Sequence, residues 1–281
     1  ESKAKEASKE ELLVEYERRW QDGGLMFLGA FSDLLFDEKA NGTAADFVRA
    51  KIESIVKNPE IALKLMPDHH IGCKRLCADT GYYETFNQDN VSLIDVKADP
   101  IQSLVSGGLA LSSGRDFKLD ALVLATGFDA MTGALDKIKI LGRNGISLKE
   151  KWKEGPKTYL GLGMSGFPNL FHIAGPGSPS VLTNMLVSIQ QHVEWISDCI
   201  SWMEKHEFSK IEAREQAEED WVKHVNEVAD LTVYPSCNSW YLGANIPGKA
   251  RQFMPYVGGY PPYAEKCKVV ANNDYEGFEL S

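Results

Sequence analysis

Two glycine-containing segments, each directly after a short apolar run, are the residues best suited to bind a ligand. The apolar run at 121–124 leads to Thr126-Gly127, and the run at 170–174 leads to the glycine-rich segment 175–180. Glycine has no Cβ, so a flat ligand can lie close to its backbone. Short, unbroken apolar runs are typical of strands buried on both faces of a parallel sheet. The pattern predicts a ligand-binding crevice where two such strands end.

A helix is predicted to follow the second segment, over residues 181–200. Ser180 or Thr183 would cap it, because either hydroxyl can accept a hydrogen bond from the free N–H groups of the first turn. A helix that starts at the end of a buried strand directs the positive end of its dipole toward the crevice. Its predicted inward face consists of Leu182, Met185, Leu186, Ile189, Val193 and Ile196.

Composition and charge narrow the class of protein. The chain has 281 residues, 43% hydrophobic and 25% charged, with a net charge of −10. An acidic balance argues against a nucleic-acid partner, which would require a basic face. No apolar run is long enough to span a bilayer and no signal peptide is recognisable, so no membrane partner is expected. The five scattered cysteines predict reduced thiols in a cytoplasmic protein.

The first 67 residues are predicted to form a helical unit without obvious chemistry. Ser8-x-x-Glu11 is a capping box for its first helix. The dipeptide Asn41-Gly42 is typical of a turn. We therefore expect a separate helix over 44–56, with Thr43 as its cap.

The remaining predicted elements alternate between strands, helices and irregular chain. A strand is expected over 90–96, and a hairpin over 100–110 with Gly107-Gly108 at its turn. A helix is expected over 211–228. Residues 230–263 are rich in Pro, Gly, Asn and Tyr and have no periodicity, which is typical of a functional loop or lid.

Two other motifs are rejected as functional sites. Residues 161–166 match G-x-G-x-x-G, but Phe167-Pro168 follows where a cofactor-binding loop needs a helix. The adjacent His69 and His70 have no third ligand at a useful spacing, so no metal site is expected. No G-x-S-x-G motif is present, which argues against a serine hydrolase.

The order of short motifs along the chain resembles one protein family. Ala-Thr-Gly-Phe-Asp occupies 125–129, and Phe-Pro-Asn-Leu-Phe at 167–171 precedes Gly-Pro-Gly-Ser-Pro-Ser at 175–180. Gly-Cys-Lys-Arg-Leu at 72–76 lies before them and Ser-Trp-Tyr at 239–241 after them. In this order, and over nearly the whole chain, the motifs resemble the Baeyer–Villiger monooxygenases, a family of flavoproteins.

The resemblance implies roles for individual residues. Arg75 falls on the family's catalytic arginine, and Lys74 falls where the family binds the 2′-phosphate of NADPH. Trp240 falls on a tryptophan that hydrogen-bonds the nicotinamide nucleotide. The residues expected against FAD are Ala125, Thr126, Gly127, Asn184 and Met185, and those expected to line the substrate pocket are Val181, Leu182 and Thr183.

Each assignment has a plainer alternative. Lys74 and Arg75 could be solvated surface charges, and Trp240 could be a loop residue packed on the core. The apolar residues at 181–183 could be ordinary core.

The resemblance also implies a fold. It is an α/β flavoprotein with two Rossmann-like dinucleotide-binding domains, one for FAD and one for NADP, of which this chain would hold the C-terminal portion. Residues 1–70 would be a helical insert of the NADP domain, and 71–97 the end of that domain and a linker. Residues 98–205 would be the C-terminal part of the FAD domain, and 206–281 a C-terminal helix and mobile loop.

The implied activity is conversion of ketones to esters or lactones with NADPH and O2, through a C4a-peroxyflavin. Both phosphate-binding glycine loops of the family lie upstream of the matched part, so the missing N-terminal half is the expected partner. One alternative is a related flavin monooxygenase that oxidises sulfur or nitrogen. Another is a fragment that is not catalytic without its upstream half.

Overall fold

The computed structural model describes residues 2–281 and divides into two compact units, Glu1–Gly127 and Phe128–Ser281. The first unit combines helices with a small antiparallel sheet, and the second is mainly helical with a two-stranded ribbon. Among residues 2–281, none of the helices has both the length and the hydrophobicity that crossing a bilayer requires.

An aromatic core holds the helices of the first unit together. The predicted capping box is confirmed: the N–H of Glu11 donates to Ser8 Oγ at 3.3 Å, and the N–H of Ser8 donates to the Glu11 carboxylate at 2.7 Å. The ring centroid of the buried Tyr16 lies 5.5 Å from those of Phe27 and Phe47. The α-helices of this unit are α1 (Lys9–Asp22), α2 (Glu38–Ile55), α3 (Pro59–Leu65) and α4 (Tyr82–Thr85).

The break predicted at Asn41-Gly42 is wrong, because α2 runs through both residues and is capped by Asp37. Asn41 is fully buried. Its side-chain amide donates to the carbonyls of Leu34 at 2.8 Å and Ile71 at 2.9 Å, and its side-chain oxygen accepts from the N–H of Ile71 at 2.9 Å. These contacts with distant chain outweigh the local preference of Asn-Gly for a turn.

Thr43 is therefore not a helix cap, contrary to the prediction. It lies inside α2, where its hydroxyl donates to the carbonyl of Ala40 at 2.7 Å and lies 2.7 Å from the hydroxyl of Tyr16. A threonine within a helix commonly makes this bond to a preceding carbonyl.

The predicted hairpin is confirmed and extends into a third strand. Strands β1 (Ile101–Val105), β2 (Gly108–Leu111) and β3 (Asp116–Lys118) pair in that order, all antiparallel. Gly108 is required by close packing, since a Cβ there would lie 1.8 Å from the carbonyl oxygen of Phe117 on β3.

Two strands predicted in the first unit, at 90–96 and 121–124, are wrong. Neither segment has strand geometry, and none of the described strands pairs with either one. The side chains of Val123 and Leu124 are 86% and 75% exposed. A strand obtains its hydrogen bonds from its neighbours, so an apolar run without a neighbour does not form one.

The second unit is built around three longer helices and a short ribbon. Its α-helices are α5 (Leu148–Lys151), α6 (Met185–Lys205), α7 (Glu215–Asp230) and α8 (Tyr260–Asn272). Strands β4 (Ile211–Ala213) and β5 (Phe278–Leu280) pair antiparallel. The segment predicted as a helix over 211–228 thus begins as a strand, because its first residues pair with the C-terminal residues. The strand predicted at 170–174 is wrong, and Ile173 is 51% exposed.

Helix α6 differs from the prediction in its start and in its buried face. Asn184 caps it, accepting from the N–H of Leu186 at 3.1 Å, so neither Ser180 nor Thr183 is the cap. Leu186 and Val193, predicted to face inward, are 77% and 43% exposed. The face that packs against the other helices of the unit is set by the partners available there, and consists of Ser188, His192, Trp195, Cys199 and Met203.

Residues 231–259 lack long periodic structure, as predicted, whereas the last residues of the predicted segment begin α8. Much of the segment is buried. Tyr234, Tyr241 and Phe253 are 2–5% exposed. The ring centroid of Tyr234 lies 5.6 Å from that of Tyr241 and 5.3 Å from that of Phe253. As predicted, no helix directly follows residues 161–166 in the described chain.

Candidate functional site

The glycine-rich segment 175–180 forms a turn whose backbone is fixed from several directions. The N–H of Gly177 donates to the carbonyl of Met254 at 2.6 Å, and its carbonyl accepts from the indole N–H of Trp221 at 3.0 Å. The carbonyl of Ser178 accepts from the N–H of Tyr256 at 2.7 Å. Because α7 and the following segment supply these partners, the turn has one well-defined conformation.

Close backbone packing explains the glycines on the inner side of this turn. A Cβ on Gly175 would lie 2.6 Å from the carbonyl oxygen of Gly161, and a Cβ on Gly161 would lie 2.7 Å from Ser178 Cβ. Gly177 has φ +84, which glycine adopts without strain. The turn and the loop at 159–163 therefore pack backbone to backbone. The glycines at 161 and 175 thus serve this contact within the unit.

The turn leads directly into residues predicted to contact substrate and cofactor. Val181 and Leu182 are half-buried and pack against the aromatic cluster around Tyr241 and Phe253. Trp240 packs against the same cluster. The structure thus gathers two predicted substrate residues and one predicted cofactor residue on a single hydrophobic cluster.

Thr183, Asn184 and Met185 directly follow these residues in the chain. Thr183 has extended backbone geometry between a 3-10 turn, Ser180–Leu182, and the start of α6. The side chain of Asn184 caps α6 and Met185 is its first residue. The N-terminus of a helix of this length offers free N–H groups and a partial positive charge. A ligand with electron-rich carbonyl or phosphate oxygens would be favoured there.

Trp240 has a polar atom available for a ligand. It lies in the 3-10 turn Trp240–Leu242, half-buried, with its ring centroid 4.1 Å from that of Tyr241. Its indole N–H has no hydrogen-bond partner among residues 2–281, whereas those of Trp152, Trp195 and Trp221 are all paired. A flat ring with an unused donor can both cover a ligand and bind it.

The segment that carries Trp240 is tied to the first residues of the second unit. Lys249 makes an ion pair with Asp129 and donates to the carbonyl of Ala130 at 3.2 Å. Asn245 donates to the carbonyl of Phe128 at 3.1 Å. No local sequence pattern predicts these contacts, because the paired residues lie far apart in the chain.

Lys74 and Arg75 lie in the first unit, between α3 and α4, and both are exposed. Neither side chain makes a hydrogen bond or an ion pair with any residue of the described chain. The segment before them is well anchored: Ile71 is bonded to Asn41, and Gly72 adopts φ +86 against the side chains of Leu28 and Leu35. A rigid lead-in thus presents two uncommitted cations to the surface.

Ala125, Thr126 and Gly127 end the first unit and are exposed. Gly127 has φ +82, and a Cβ on it would meet nothing within 4 Å. Small side chains leave the backbone open to a flat ring, so these residues fit a flavin. The neighbouring Val123 and Leu124 expose large apolar side chains. Adjacent exposed apolar side chains are typical of a surface that another protein segment covers.

The sequence and structural comparisons identify the class of protein. No protein-family model matches the chain. Over 99% of its length it is 43% identical to a cyclohexanone 1,2-monooxygenase from Acinetobacter sp., and over 97% it is 42% identical to a Baeyer–Villiger monooxygenase from Pseudooceanicola batsensis. The chain spans about half the length of these curated relatives, 51% and 50%.

Solved structures agree with these relatives. A steroid monooxygenase bound to NADP matches with a TM-score of 0.91 at 46% identity, over 99% of this chain and 52% of that one. A closed cyclohexanone monooxygenase matches with a TM-score of 0.95 at 39% identity, over 100% of this chain and 53% of that one. A further match, with a TM-score of 0.94 at 38% identity over 100% of this chain and 52% of that one, is a complex of OTEMO with FAD and NADP.

These matches define the fold as a portion of a flavoprotein monooxygenase with two dinucleotide-binding domains, which confirms the predicted fold class. Within that class, the chain belongs to the Baeyer–Villiger monooxygenase family. The strands predicted from the apolar runs at 121–124 and 170–174 are absent from the described residues.

Proposed function

We propose that this chain is the C-terminal half of a cytoplasmic flavin monooxygenase that uses NADPH and O2 to convert ketones to esters or lactones. The observation that supports it best is the convergence of Val181, Leu182 and Trp240 on one hydrophobic cluster beside a rigid glycine turn. Relatives at 42–43% identity named for this chemistry add to that support.

In this proposal each residue binds or orients a particular group. Bound FAD, reduced by NADPH, supplies the oxygen-transfer chemistry, and the protein positions it. Lys74 binds the 2′-phosphate of NADPH, for which a compact ammonium is apt. The ketone lies against Val181, Leu182 and Thr183. The residues that hold FAD are Ala125, Thr126 and Gly127, together with the backbone at Asn184 and Met185.

Trp240 would close the site. Its unused indole N–H donates to the nicotinamide nucleotide, and its ring excludes water from the reacting atoms. The contacts of Lys249 with Asp129 and Ala130 hold the segment that carries Trp240 in place.

Arg75 is the proposed catalytic residue. Negative charge develops on the ketone oxygen during oxygen transfer, and a fixed guanidinium beside it stabilises that charge in a site from which water is excluded. Arginine suits this role because it stays charged and carries a rigid fork of donors. Its side chain is not engaged elsewhere among the described residues, so it is available to the reaction.

Substitution of Arg75 by alanine tests the proposal. We expect ester formation from cyclohexanone to fall by at least about 100-fold, because a preorganised charge contact is lost. NADPH consumption should continue, since this role does not include hydride transfer. Product analysis by gas chromatography, with NADPH loss followed at the same time, measures both. Arg115→Ala, at an exposed arginine of the same unit, is the control. Normal ester formation by Arg75→Ala would refute the assignment.

Substitution of Lys74 by alanine tests the cofactor assignment. The KM for NADPH should rise by about tenfold, the equivalent of one charge-assisted contact. The KM for NADH, which lacks the 2′-phosphate, should stay the same. An equal change for both cofactors would contradict a 2′-phosphate contact.

Oxygenation of nitrogen is a second candidate function. The chain is 41% identical, over 99% of its length, to a phenazine N-monooxygenase from Lysobacter antibioticus, of which it covers 51%. Competition between a cyclic ketone, a thioether and a phenazine in one reaction distinguishes the candidates. The product that forms fastest identifies the chemistry.

The need for an upstream half is also part of the proposal. The bare apolar residues 122–124 would be covered by that half, which would also supply the phosphate-binding glycine loops. We expect the chain alone to bind FAD poorly. A yellow protein much heavier than the 31.2 kDa of this chain indicates that the upstream half is present. A yellow, active protein of 31.2 kDa would contradict the requirement.

A further inference from the structure

A chain of buried hydrogen bonds connects α6 and α8 to two loops of the second unit. His192 is fully buried on α6, and its Nδ1 accepts from the N–H of Ala174 at 2.8 Å. Its Nε2 lies 2.8 Å from the hydroxyl oxygen of Tyr263, which is fully buried on α8. The Tyr263 hydroxyl donates to the carbonyl of Leu160 at 2.6 Å.

The hydrogen-bond partners fix the position of every proton in this series of hydrogen bonds. An amide N–H is always a donor, so Nδ1 of His192 must be unprotonated. A neutral imidazole then carries its proton on Nε2 and donates to the Tyr263 oxygen. Tyr263 has one proton, and the carbonyl of Leu160 accepts it. All groups are satisfied when His192 is the neutral Nε2–H tautomer, and burial lowers the pKa of His192 to about 4, which favours the same state.

The residues at both ends of this series of hydrogen bonds have strained backbone. Ala174 has φ +55 and Leu160 has φ +59, a left-handed conformation that side chains other than glycine adopt at a cost. Each residue directly precedes one of the two glycines, Gly161 and Gly175, whose backbones pack together. The series of hydrogen bonds therefore connects two strained residues at the contact between the loops.

We propose that His192 and Tyr263 are positioning residues: through Ala174 they fix the turn at 175–180 and, with it, the residues at 181–183 that would receive the substrate. This inference rests on the proposed function for the identity of the substrate. The mechanical part, that His192 holds the turn, does not depend on it.

Among the described residues, no second hydrogen bond to the N–H of Ala174 could replace the bond to His192. Thr158 bonds the carbonyl of Pro176, and Met254 bonds the N–H of Gly177, so those contacts hold the middle of the turn. Among the described residues, His192 alone bonds Ala174, the left-handed residue directly before the turn.

Selective isotope labelling isolates this contact. The dipeptide Ile-Ala occurs twice in the sequence, at Ile61-Ala62 and Ile173-Ala174. Protein labelled with carbonyl-13C isoleucine and 15N alanine therefore gives a correlation spectrum with the amides of Ala62 and Ala174 alone from this chain. Ala62 lies in α3, with its N–H bonded to the carbonyl of Asn58, and serves as an internal reference.

Two substitutions at His192 separate the acceptor from the ring. His192→Leu removes the acceptor, and we expect amide exchange at Ala174 to become about tenfold faster while Ala62 is unchanged. His192→Asn keeps an oxygen near the position of Nδ1 and should restore most of the protection. His206→Asn, at an exposed histidine of the same unit, should change neither amide.

The outcomes that would overturn the proposal are equally specific. Unchanged exchange at Ala174 in His192→Leu would show that the bond does not hold the turn. If His192→Asn protected the amide of Ala174 no better than His192→Leu, the hydrogen-bond acceptor would not be the cause of the protection. In 15N-histidine spectra of the unsubstituted protein, a protonated Nδ1 on His192 would contradict the assigned tautomer.

Tyr263→Phe tests the far end of the chain. It removes the hydroxyl but keeps the ring, so the packing of α8 is largely preserved. We expect faster exchange at Ala174, by a smaller factor than in His192→Leu, because the imidazole loses its orienting partner. No change at Ala174 would remove Tyr263 from the proposal.

Kinetics on the protein assembled with its upstream half give the functional result. We expect His192→Leu to raise the KM for ketone several-fold more than it lowers kcat, with the rate of flavin reduction by NADPH unchanged. His192→Asn should recover the KM. An unchanged KM for ketone together with faster amide exchange at Ala174 would overturn the link to substrate. Absence of ketone oxidation by the unsubstituted protein would overturn the proposed function but not the exchange result.

Discussion

At the scale of single residues, a buried ion pair makes the stability of the second unit sensitive to substitution. Glu218 on α7 is 1% exposed, and the ammonium of Lys151 lies 2.8 Å from its carboxylate. Burial raises the pKa of Glu218 although Lys151 acts in the opposite direction. A buried carboxylate is tolerated only with its partner in place.

Substitution of Lys151 by methionine should therefore destabilise the protein strongly. We expect the free energy of unfolding to fall by about 3 kcal/mol, because the carboxylate of Glu218 is left buried and unpaired. The double variant Lys151→Met/Glu218→Met should recover most of this loss. Urea denaturation followed by circular dichroism measures both. Lys223→Met, which breaks an exposed pair with Glu227 on the same helix, is the control and should cost less than about 1 kcal/mol. Equal losses at the two lysines would contradict the argument.

At the scale of secondary structure, α2 shows how distant contacts decide where an element ends. Asn41-Gly42 is a strong local turn signal, yet the buried side chain of Asn41 bonds Leu34 and Ile71 and keeps the helix continuous. Gly42 is then a glycine within a helix, with nothing within 4 Å of its added Cβ.

Gly42→Ala should consequently stabilise the protein. We expect a gain of about 0.5–1 kcal/mol, since alanine loses less backbone entropy in a helix and meets no steric obstacle here. The matched variant Gly23→Ala should have the opposite sign, because Gly23 ends α1 with φ +68. Thermal unfolding of the two variants gives the comparison. Destabilisation by Gly42→Ala would mean that a turn, not a helix, occupies this position.

At the scale of the whole molecule, two buried histidines make stability depend on pH. His172 is 5% exposed and His192 fully buried, and burial lowers the pKa of each to about 4. In the unfolded chain a histidine titrates near ~6.5. Between these values the unfolded state binds more protons than the folded state, so stability falls as the pH is lowered from about 6.5 toward 4.

The dependence of the free energy of unfolding on pH can be measured and assigned to individual histidines. Each histidine should lower the free energy of unfolding by roughly 1.4 kcal/mol per pH unit in this range. Urea denaturation at pH 7 and pH 5 should show the loss, and His172→Gln should remove part of it. A slope that does not respond to His172→Gln would show that this ring titrates normally in the folded protein.

Several features could be predicted because their causes lie within a few residues. The capping box at Ser8 and Glu11, the hairpin at 100–110 and the absence of a helix after 161–166 all follow from neighbours in the chain. The family resemblance belongs to the same group, since it depends on short motifs such as 125–129. The proposed site residues were selected by those motifs, and their roles stay predictions.

Other features required the tertiary structure, because their causes lie far apart in the chain. The run at 121–124 has the composition of a buried strand, but composition does not supply the neighbour that a strand needs for its hydrogen bonds. The buried face of α6 follows the partners that α7 and α8 present, not the apolar pattern of α6 alone.

The sequence by itself determined the family and the local helix-cap and hairpin signals, and it predicted the residues of the proposed site. Only the tertiary structure decided that α2 is continuous, that Lys249 pairs with Asp129, and that His192 accepts a hydrogen bond from the N–H of Ala174. Each of these is a contact between positions distant in sequence. Periodicity and short motifs carry information about neighbouring residues alone, and the free energy of burying and pairing distant groups overrides them.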